Sequence, residues 1–273
     1  MTNNLLPRLV ESEELESKLK SDGLVIIDLS IKMTHAQGHI PGARLLGYNQ
    51  IVRAEKPVMG LLPTAEQFSQ ALSSVGITAE NHIVAYDDEG GGKAARLLWT
   101  LECFGHSRYS LLNGGLHTWA KEGHSLTTET SYFEPSNYQL GTTSECEAVI
   151  NGDDILKHLD DANVTLLDAR SPQEFSGEKR YAERAGRIPG AVNIEWTEFM
   201  DKDRNLRLKL ESELRSMLEA KGFTTDKTVI AYCQTHHRSA HTWFVLNYLG
   251  YKARGYEGSW SDWGNREDTP VEI

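Results

Sequence analysis

The chain has 273 residues, of which 39% are hydrophobic and 25% charged, and a formal net charge of −11. This is the composition of an ordinary water-soluble globular protein, long enough for one large or two small domains. The negative charge argues against nucleic acid or an anionic membrane surface as a partner. No stretch approaches the ~20 apolar residues of a membrane-spanning helix, so no membrane association is expected.

Apolar runs and helical periods alternate along both halves of the chain. In the first half they predict a helix over 12–20 capped by Ser12, strands at 24–29 and 43–46, a helix over 64–75, a strand at 83–86, a helix over 93–104, a strand at 109–112 and a helix over 116–121. In the second half they predict a helix over 153–159, a strand at 164–169, a helix over 210–221, and a strand ending at Cys233 with a helix after it.

Residues 124–147 contain Ser, Thr, Pro and Gly and show no clear period, which predicts an extended linker. Within it, Tyr132, Phe133 and Tyr138 are expected to pin the linker to a domain surface. We therefore place one domain at 1–123 and a second at 148–273.

Four segments recur in the same order in both halves. The matched pairs are 24–29 with 164–169, 38–43 with 186–191, 82–87 with 228–233, and 114–119 with 258–263. A repeat of this length indicates a duplicated domain rather than a solenoid. Alternating strands and helices predict an α/β fold with two tandem domains, each a mainly parallel sheet with helices on both faces.

The three cysteines, Cys103, Cys146 and Cys233, are too few and too widely spaced for a disulfide framework. A sparse, odd number of thiols fits a reducing compartment. The N-terminal residues contain no apolar core of a signal peptide. We therefore expect a cytoplasmic protein, in which Cys103 and Cys146 are structural or incidental.

Cys233 stands at the end of an apolar strand and is followed by four polar residues, Arg238 and a helical pattern. The carboxyl end of such a strand is where ligands bind in parallel sheets. A helix N-terminus there offers unpaired N–H groups and a positive dipole, which lower a thiol pKa from about 8.5. The sequence thus predicts a nucleophilic, solvent-reached cysteine in an anion-binding loop.

The corresponding loop of the first half begins with Asp87 and reads DDEGGGK. Its three acidic residues offer no thiolate and are expected to repel anions, so we predict an inactive first domain that supports an active second one. The glycines followed by Lys93 do not form a phosphate-binding loop of the G-x-x-x-x-G-K-[ST] type, because Ala94 comes next.

Four segments carry a family resemblance: Asp-Ala-Arg-Ser-Pro at 168–172, Gly-x-Ile-Pro-Gly-Ala in both halves, the six-residue loop that opens with Cys233, and Gly-Ser-Trp-Ser-Asp-Trp at 258–263. With these in order, the chain resembles a tandem-domain rhodanese, a member of the sulfurtransferase family, over essentially its whole length. The loop Cys-Gln-Thr-His-His-Arg is similar to that of bacterial thiosulfate sulfurtransferases of the Azotobacter type.

The resemblance implies a ping-pong reaction that needs neither a cofactor nor a metal. Cys233 accepts the sulfane sulfur of thiosulfate as a persulfide and passes it to a thiophilic acceptor such as cyanide. Substrate binding is implied for the rest of the loop: Gln234, Thr235, His236, His237, Arg238 and Ser239. The expected partners are a small-molecule donor and acceptor, or a protein that accepts sulfur, and we expect a monomer.

Two positions depart from the family pattern. Thr235 stands where many family loops carry a second basic residue. Glu174 stands where thiosulfate- and mercaptopyruvate-type enzymes carry an arginine. This argues against 3-mercaptopyruvate as the donor, because its carboxylate needs cations. Arg180 and Arg184 are the remaining candidates for that charge.

Other functions use similar residues. Cys233, His236, His237 and His241 have the spacing of metal ligands, although an amide-lined loop favours an anion. Cysteine phosphatases on a similar scaffold use Cys-x5-Arg, whereas four residues separate Cys233 from Arg238 here. A 3-mercaptopyruvate sulfurtransferase and a persulfide carrier that delivers sulfur to a protein share the thiol chemistry, and sequence does not separate them from the first hypothesis.

Several other polar and aromatic residues are expected to have structural roles: Asp28 and Asp168 in hydrogen bonds to neighbouring loops, Arg170 in an ion pair, and Trp260 and Trp263 in packing. His35 and His39 precede Ile40-Pro41, which ends any helix, and they are expected at surface or turn positions.

Overall fold

The structure, a computed structural model, describes residues 5–141 and 146–273. In the first half of the chain, short strands alternate with helices. These elements are β1 (Leu9–Val10), α1 (Ser12–Glu16), β2 (Leu24–Asp28), α2 (Lys32–Gln37), β3 (Arg44–Leu45), β4 (Arg53–Glu55), β5 (Val58–Leu61), α3 (Ala65–Ser74), β6 (His82–Tyr86), α4 (Gly92–Cys103), β7 (Tyr109–Leu112) and α5 (Gly115–Lys121).

The second half repeats this alternation. Its elements are β8 (Val149–Ile150), α6 (Gly152–Lys157), β9 (Val164–Asp168), α7 (Pro172–Phe175), β10 (Val192–Asn193), β11 (Met200–Asp201), β12 (Arg207–Leu208), α8 (Glu211–Ala220), β13 (Thr228–Tyr232), α9 (Arg238–Tyr248), β14 (Lys252–Tyr256) and α10 (Ser259–Trp263). In the described residues of both halves, no helix has the length and apolar character needed to cross a membrane.

Each half builds one five-stranded sheet, in the order β1-β7-β6-β2-β3 and β10-β9-β13-β14-β8. The strand pairs within both sheets are parallel. Strands of a parallel sheet are buried and therefore read as continuous apolar runs, which is why the sequence located them. The predicted α/β class with two tandem, mainly parallel sheets is confirmed.

By their contacts, the residues divide into two units that are not continuous in sequence. The first unit is made of Met1–Ile51, Pro63–Cys146 and Met200–Leu208. The second is made of Val52–Leu62, Glu147–Phe199 and Lys209–Ile273. Thus the antiparallel pair β4–β5 belongs to the second unit, and the antiparallel pair β11–β12 belongs to the first. The sequence pattern did not reveal either hairpin.

The same hydrogen bond recurs in both cores. Tyr86 ends the middle strand β6 and Tyr232 ends the middle strand β13, and both side chains are fully buried. The Tyr86 hydroxyl accepts the N–H of Ile40 at 3.3 Å, and the Tyr232 hydroxyl accepts that of Ile188 at 3.2 Å. A buried phenol needs such a partner. The repeated Gly-x-Ile-Pro-Gly-Ala segments are therefore tied to the repeated strands.

Some local expectations were wrong. Helix α1 ends at Glu16, not at residue 20, because the chain tightens there and the Lys18 N–H donates to Leu15 O, three residues back. Ser12 does not cap this helix: it is the first helical residue, and the N-cap is Glu11, whose side chain makes no cap hydrogen bond.

His35 and His39 were expected at the surface or in a turn. Instead, His35 lies in α2 with its Nδ1 2.7 Å from Asp28 Oδ2. His39 is 1% exposed, and its ring stacks on that of His35 with centroids 3.8 Å apart. Asp28 also accepts the Ser30 N–H, which confirms its expected hydrogen bond to a neighbouring loop.

The described part of the linker, 124–141, contains neither helix nor strand, and by its contacts it belongs to the first unit. The Tyr138 hydroxyl lies 2.9 Å from His106 Nδ1, and the Phe133 ring packs under the Arg44 guanidinium at 4.9 Å. Tyr132, in contrast, is 86% exposed and does not pin the linker as expected. Residues 142–145 of the predicted linker lie outside the described residues.

Candidate active site

Cys233 follows directly on β13, the middle strand of its sheet, and α9 begins five residues later at Arg238. This is the predicted strand–loop–helix arrangement at the carboxyl end of a parallel strand. The thiol differs from expectation in one respect, because Cys233 is 0% exposed and was predicted to be reached by solvent. The loop 233–237 and the residues packed on it close over the sulfur atom.

The surroundings of the Cys233 sulfur favour its charged form. Burial by itself raises the thiol pKa, since it removes water from the thiolate. The positive charge of Arg238, hydrogen bonds from the Ser239 side chain and N–H, and the Thr235 N–H all act in the opposite direction. Their combined effect outweighs burial, and the pKa of Cys233 lies below its ordinary value.

Two other amides of the loop point to Ser259, at the start of α10. Its Oγ accepts the N–H of Cys233 at 3.2 Å and that of His236 at 3.1 Å. The N–H groups of Trp260 and Ser261 in turn donate to the carbonyl oxygens of Cys233 and Gln234, both at 2.9 Å. The start of α10 thus forms the floor of the loop.

Arg238 is paired with Glu174, a residue of α7. Its two terminal nitrogens donate to the two carboxylate oxygens at 2.7 and 2.8 Å, a bidentate ion pair. Glu174 is 4% exposed. Burial raises the pKa of this carboxyl, but the bonds from Arg238 and Ser171 outweigh that effect and hold it below its usual value. Arg238 therefore ties the loop to α7.

The remaining loop residues lie around this centre. Gln234 donates from Nε2 to the Tyr181 carbonyl at 3.1 Å. His236 is fully buried, with its Nδ1 2.8 Å from Ser239 Oγ and a left-handed backbone at φ 51°. The ring of His237 lies 5.9 Å from that of Trp196. The His236 amide therefore faces Ser259.

Neither alternative arginine extends the positive charge of the loop. Arg184 donates to the carbonyl oxygens of Thr269 and Trp263 at 2.6 and 2.7 Å, so it fastens the C-terminal segment. Arg180 is exposed and donates to the Glu183 carbonyl at 3.3 Å. Glu174, which stands at the family's arginine position, is the residue that meets the loop.

The hairpin β4–β5 approaches the loop from another side. A Cβ atom placed on Gly60 would lie 2.0 Å from the Thr235 carbonyl oxygen. The Met59 N–H donates to Ser261 Oγ at 3.3 Å, and the Leu62 N–H donates to Glu257 Oε2 at 2.7 Å. Glycine at position 60 is therefore required for this approach.

The equivalent loop of the first unit is closed by its own carboxyl group. Asp87 is fully buried and accepts the N–H groups of Glu89, Gly91 and Ala94 at 3.0, 2.8 and 2.9 Å. Burial and the neighbouring charge of Glu89 raise the pKa of this carboxyl. The amides that surround a sulfur atom in the second unit are here occupied by a side chain.

The residues assigned structural roles keep them. The Arg170 guanidinium and N–H donate to the Asp168 carboxylate at 2.6 to 3.0 Å, and both residues are buried. Trp260 and Trp263 are buried, and their indole N–H groups donate to Arg184 O and Pro270 O. Among the described residues, no group of three His, Cys, Asp or Glu side chains could hold a metal ion.

Sequence reasoning missed two residues that shape this site. Gly60 gives no local signal, since its role depends on a distant loop. Ser259 does give one: the repeat aligns it with Gly115, so the two halves differ at a position that contacts their two loops.

Comparison with known proteins agrees with this duplicated architecture. A profile of the rhodanese-like domain matches residues 11–122 and 151–266, once in each half of the chain. The chain therefore belongs to the rhodanese family, and the predicted resemblance is confirmed.

Among its relatives are the thiosulfate sulfurtransferases of Azotobacter vinelandii and Pseudomonas aeruginosa. They are 41% and 40% identical over 269 residues, and each alignment covers 98% of both chains. The sulfur carrier protein TtuD of Thermus thermophilus is 33% identical over 277 residues, covering 96% of this chain and 95% of its own. The wild-type EanB structure shares the fold, with a TM-score of 0.86 at 22% identity over 97% of this chain and 69% of that one.

Proposed function

We propose that this protein is a thiosulfate sulfurtransferase that carries sulfur as a persulfide on Cys233. The observation that carries the proposal is the thiol of Cys233, held beside Arg238 and the amides of Thr235 and Ser239 so that its pKa is lowered. Two relatives at 41% and 40% identity over nearly the whole chain bear this name.

The reaction has two steps. The Cys233 thiolate attacks the outer sulfur of thiosulfate, the S–S bond breaks, and sulfite leaves with the bonding electron pair. The resulting persulfide carries the negative charge on its outer sulfur. Cyanide then attacks that sulfur, thiocyanate departs, and the Cys233 thiolate is restored.

Both states of the enzyme place negative charge in the same loop. Amides that are already oriented stabilise such charge without reorganising, and they act strongly where water is excluded. Since the thiol is 0% exposed, we infer that the loop opens to admit the donor. Arg238 contributes charge to the thiolate while Glu174 holds its position.

The division of labour between the halves is part of this proposal. The domain at 148–273 is catalytic and the domain at 1–123 is inactive, because Asp87 occupies the amides of the first loop. Gln234, His236 and His237 complete the substrate-binding wall. We further propose that the protein acts as a monomer, and that it acts in the cytoplasm, where its three free cysteines would stay reduced.

A second candidate is delivery of the sulfur to a protein acceptor. A relative at 33% identity is named a sulfur carrier protein, whereas the relatives at 41% and 40% identity are named thiosulfate sulfurtransferases. The thiol chemistry is the same, and only the nucleophile that removes the outer sulfur differs. Transfer of 3-mercaptopyruvate sulfur is not favoured, because the relatives compared above carry other names.

The test is the intact mass of the protein before thiosulfate, after thiosulfate, and after cyanide. We expect a gain of one sulfur atom and its loss as thiocyanate. No gain with thiosulfate would contradict the proposed donor. A persulfide that forms but turns over slowly on cyanide and quickly on a protein would favour the carrier.

Cys233→Ala is expected to abolish sulfur loading, because the nucleophile is gone. The substitution removes a buried atom, so we expect the fold to be retained with a loss of about 1 kcal/mol in the free energy of unfolding. Cys146→Ala, at a half-buried thiol outside the loop, is the matched control and is expected to load normally. Sulfur transfer by the folded Cys233→Ala variant would disprove the site.

A further inference from the structure

Ser259 uses its whole hydrogen-bonding capacity on the loop and its support. Its hydroxyl donates to Tyr256 O at 2.8 Å and accepts the N–H groups of Cys233 and His236 at 3.2 and 3.1 Å. A hydroxyl has one donor and two acceptor sites, so all three are used. The residue is fully buried, and no water substitutes for these bonds without a change in packing.

The backbone of Ser259 is in a conformation that serine rarely adopts. Its φ is 50°, in the left-handed region that favours glycine. The repeat aligns it with Gly115, whose φ is 57°. The next amide makes the same bond in both units, from Trp260 to Cys233 O at 2.9 Å and from Leu116 to Asp87 O at 3.0 Å.

The two units therefore make the same turn with different residues. The first unit uses glycine, and a Cβ on Gly115 would lie 2.6 Å from Asp87 O. The second unit accepts the strain of a side chain. Serine offers this turn no conformational advantage over glycine. We therefore attribute the serine at this position to its hydroxyl group.

The hydroxyl also divides the amides of the loop between two tasks. His236 is itself left-handed, at φ 51°, with its N–H turned towards Ser259. The Thr235 and Ser239 amides are left to donate to the Cys233 sulfur. A buried N–H without an acceptor is costly. Without the Ser259 hydroxyl, the loop would therefore favour conformations in which the Cys233 and His236 amides reach other acceptors.

We propose that Ser259 is a positioning residue, whose hydroxyl holds the Cys233 and His236 amides and thereby fixes the loop in the form that aims the Thr235 and Ser239 amides at the sulfur. This inference rests on the proposed role of Cys233 as the sulfur-carrying residue. Ser259 is fully buried and its hydroxyl bonds three backbone groups, so it acts through the loop backbone.

The experiment compares Ser259→Gly and Ser259→Ala with the unaltered protein. Ser110→Ala is the matched control: Ser110 is a fully buried serine of β7 in the first unit, and its hydroxyl bonds Pro7 O at 2.5 Å and lies 2.7 Å from His82 Nε2, not an amide of the Cys233 loop. Thiol pKa is measured as the ultraviolet thiolate absorbance against pH, subtracting the Cys233→Ala form of each protein. Sulfur loading is measured as sulfite release in a single turnover with thiosulfate.

We expect both Ser259 variants to raise the Cys233 pKa by about one unit. Loading at neutral pH is expected to slow ~10- to 100-fold, as for small misplacements of reacting groups, with little change in the half-saturating thiosulfate concentration. The glycine variant should be the more stable of the two, since only glycine relieves the strained φ. Ser110→Ala should leave the thiol pKa unchanged.

An unchanged thiol pKa in both Ser259 variants would overturn the proposal. So would an equal shift in Ser110→Ala, or unfolding of both Ser259 variants, because the hydroxyl would then support the fold as a whole. The thiol titration needs no sulfur donor. If the unaltered protein fails to load from thiosulfate, the proposed function fails while the titration still decides the role of Ser259.

Discussion

At the scale of single residues, the ion pair between Arg238 and Glu174 governs the charge of the loop. Arg238 is the charged group that lowers the Cys233 pKa, and Glu174 holds both of its terminal nitrogens. A buried carboxylate that loses its cation is strongly destabilising. The two residues therefore have unequal roles, since only Arg238 brings positive charge to the sulfur.

Arg238→Ala is expected to reduce kcat/KM for thiosulfate more than Glu174→Ala does, by tenfold or more, which corresponds to about 1.4 kcal/mol. The reason is that thiosulfate and the thiolate are both anions, and Glu174→Ala leaves the guanidinium charge in the loop. Steady-state kinetics at several thiosulfate concentrations would measure the ranking. Arg215→Ala, which breaks an exposed ion pair with Glu211, is the control. The reverse ranking would place the anion site elsewhere.

The sequence indicated Cys233 as the candidate nucleophile because an apolar strand that stops at one thiol and continues as a helix is a local pattern. It identified Glu174 only as a departure from the family pattern. Its ion pair with Arg238 was not predicted, because the two residues are 64 positions apart and neither segment alone indicates the other as its partner. Ser259 was detectable in principle from its mismatch with Gly115. What made that mismatch meaningful, the left-handed backbone, is visible only in three dimensions.

At the scale of secondary-structure elements, the hairpin β4–β5 bears on the loop through one glycine. Gly60 leaves room for the Thr235 carbonyl, and the neighbouring Met59 and Leu62 amides fasten the strand to Ser261 and Glu257. The Thr235 peptide is thereby held between the hairpin and the rest of the second unit.

Gly60→Ala is expected to displace either β5 or the Thr235 peptide, because its Cβ would lie 2.0 Å from a backbone oxygen. Overpacking of this kind typically costs about 1–3 kcal/mol. We expect slower sulfur loading together with a lower midpoint of chemical denaturation. Gly141→Ala is the control, since a Cβ there meets nothing within 4 Å. Normal loading and stability in Gly60→Ala would mean that the hairpin does not restrain the loop.

The sequence predicted the long central strands and amphipathic helices well, because burial on a sheet or a helix face leaves a period. The strand predicted at 109–112 has the same two ends as β7. The predicted ends of helices α3 and α4 each lie within one residue of the observed ends. Strands β4, β5, β11 and β12 lie outside the two parallel sheets, have only two to four residues and were not predicted. The short helix α2 was missed because Pro41 was taken to exclude a helix around His35. The helix ends at Gln37, before the proline acts on the backbone.

At the scale of the whole molecule, each unit contains a hairpin that its own half of the sequence does not encode. The first unit takes Met200–Leu208, where the Arg207 Nε donates to Glu11 at 2.8 Å and the Leu208 N–H donates to Asn113 at 2.8 Å. The second takes Val52–Leu62. The internal repeat predicts the two domain copies. It does not predict that each unit includes a hairpin from the other half of the sequence, because the hairpin segments are not part of the repeated pattern.

A chain split after Cys146 is expected to give two fragments that are each incomplete. The fragment 147–273 lacks β4 and β5, so its loop loses the contact with Gly60, and it should load sulfur poorly when alone. Mixing it with fragment 1–146 should restore loading. Thiosulfate loading by fragment 147–273 alone, at the rate of the intact protein, would contradict the importance of the hairpin.

The exchanged hairpins also bear on the order in which the protein is made. A ribosome delivers the N-terminus first, and domains generally fold as they emerge. Here the first unit is complete only when Leu208 has been synthesised, well after the strands of its own sheet. The segment Val52–Leu62 leaves the ribosome long before the sheet of the second unit, to which it belongs. We therefore expect the first unit to complete its fold only after Leu208 has emerged, and the second unit, with the loop of Cys233, only when the chain is nearly complete.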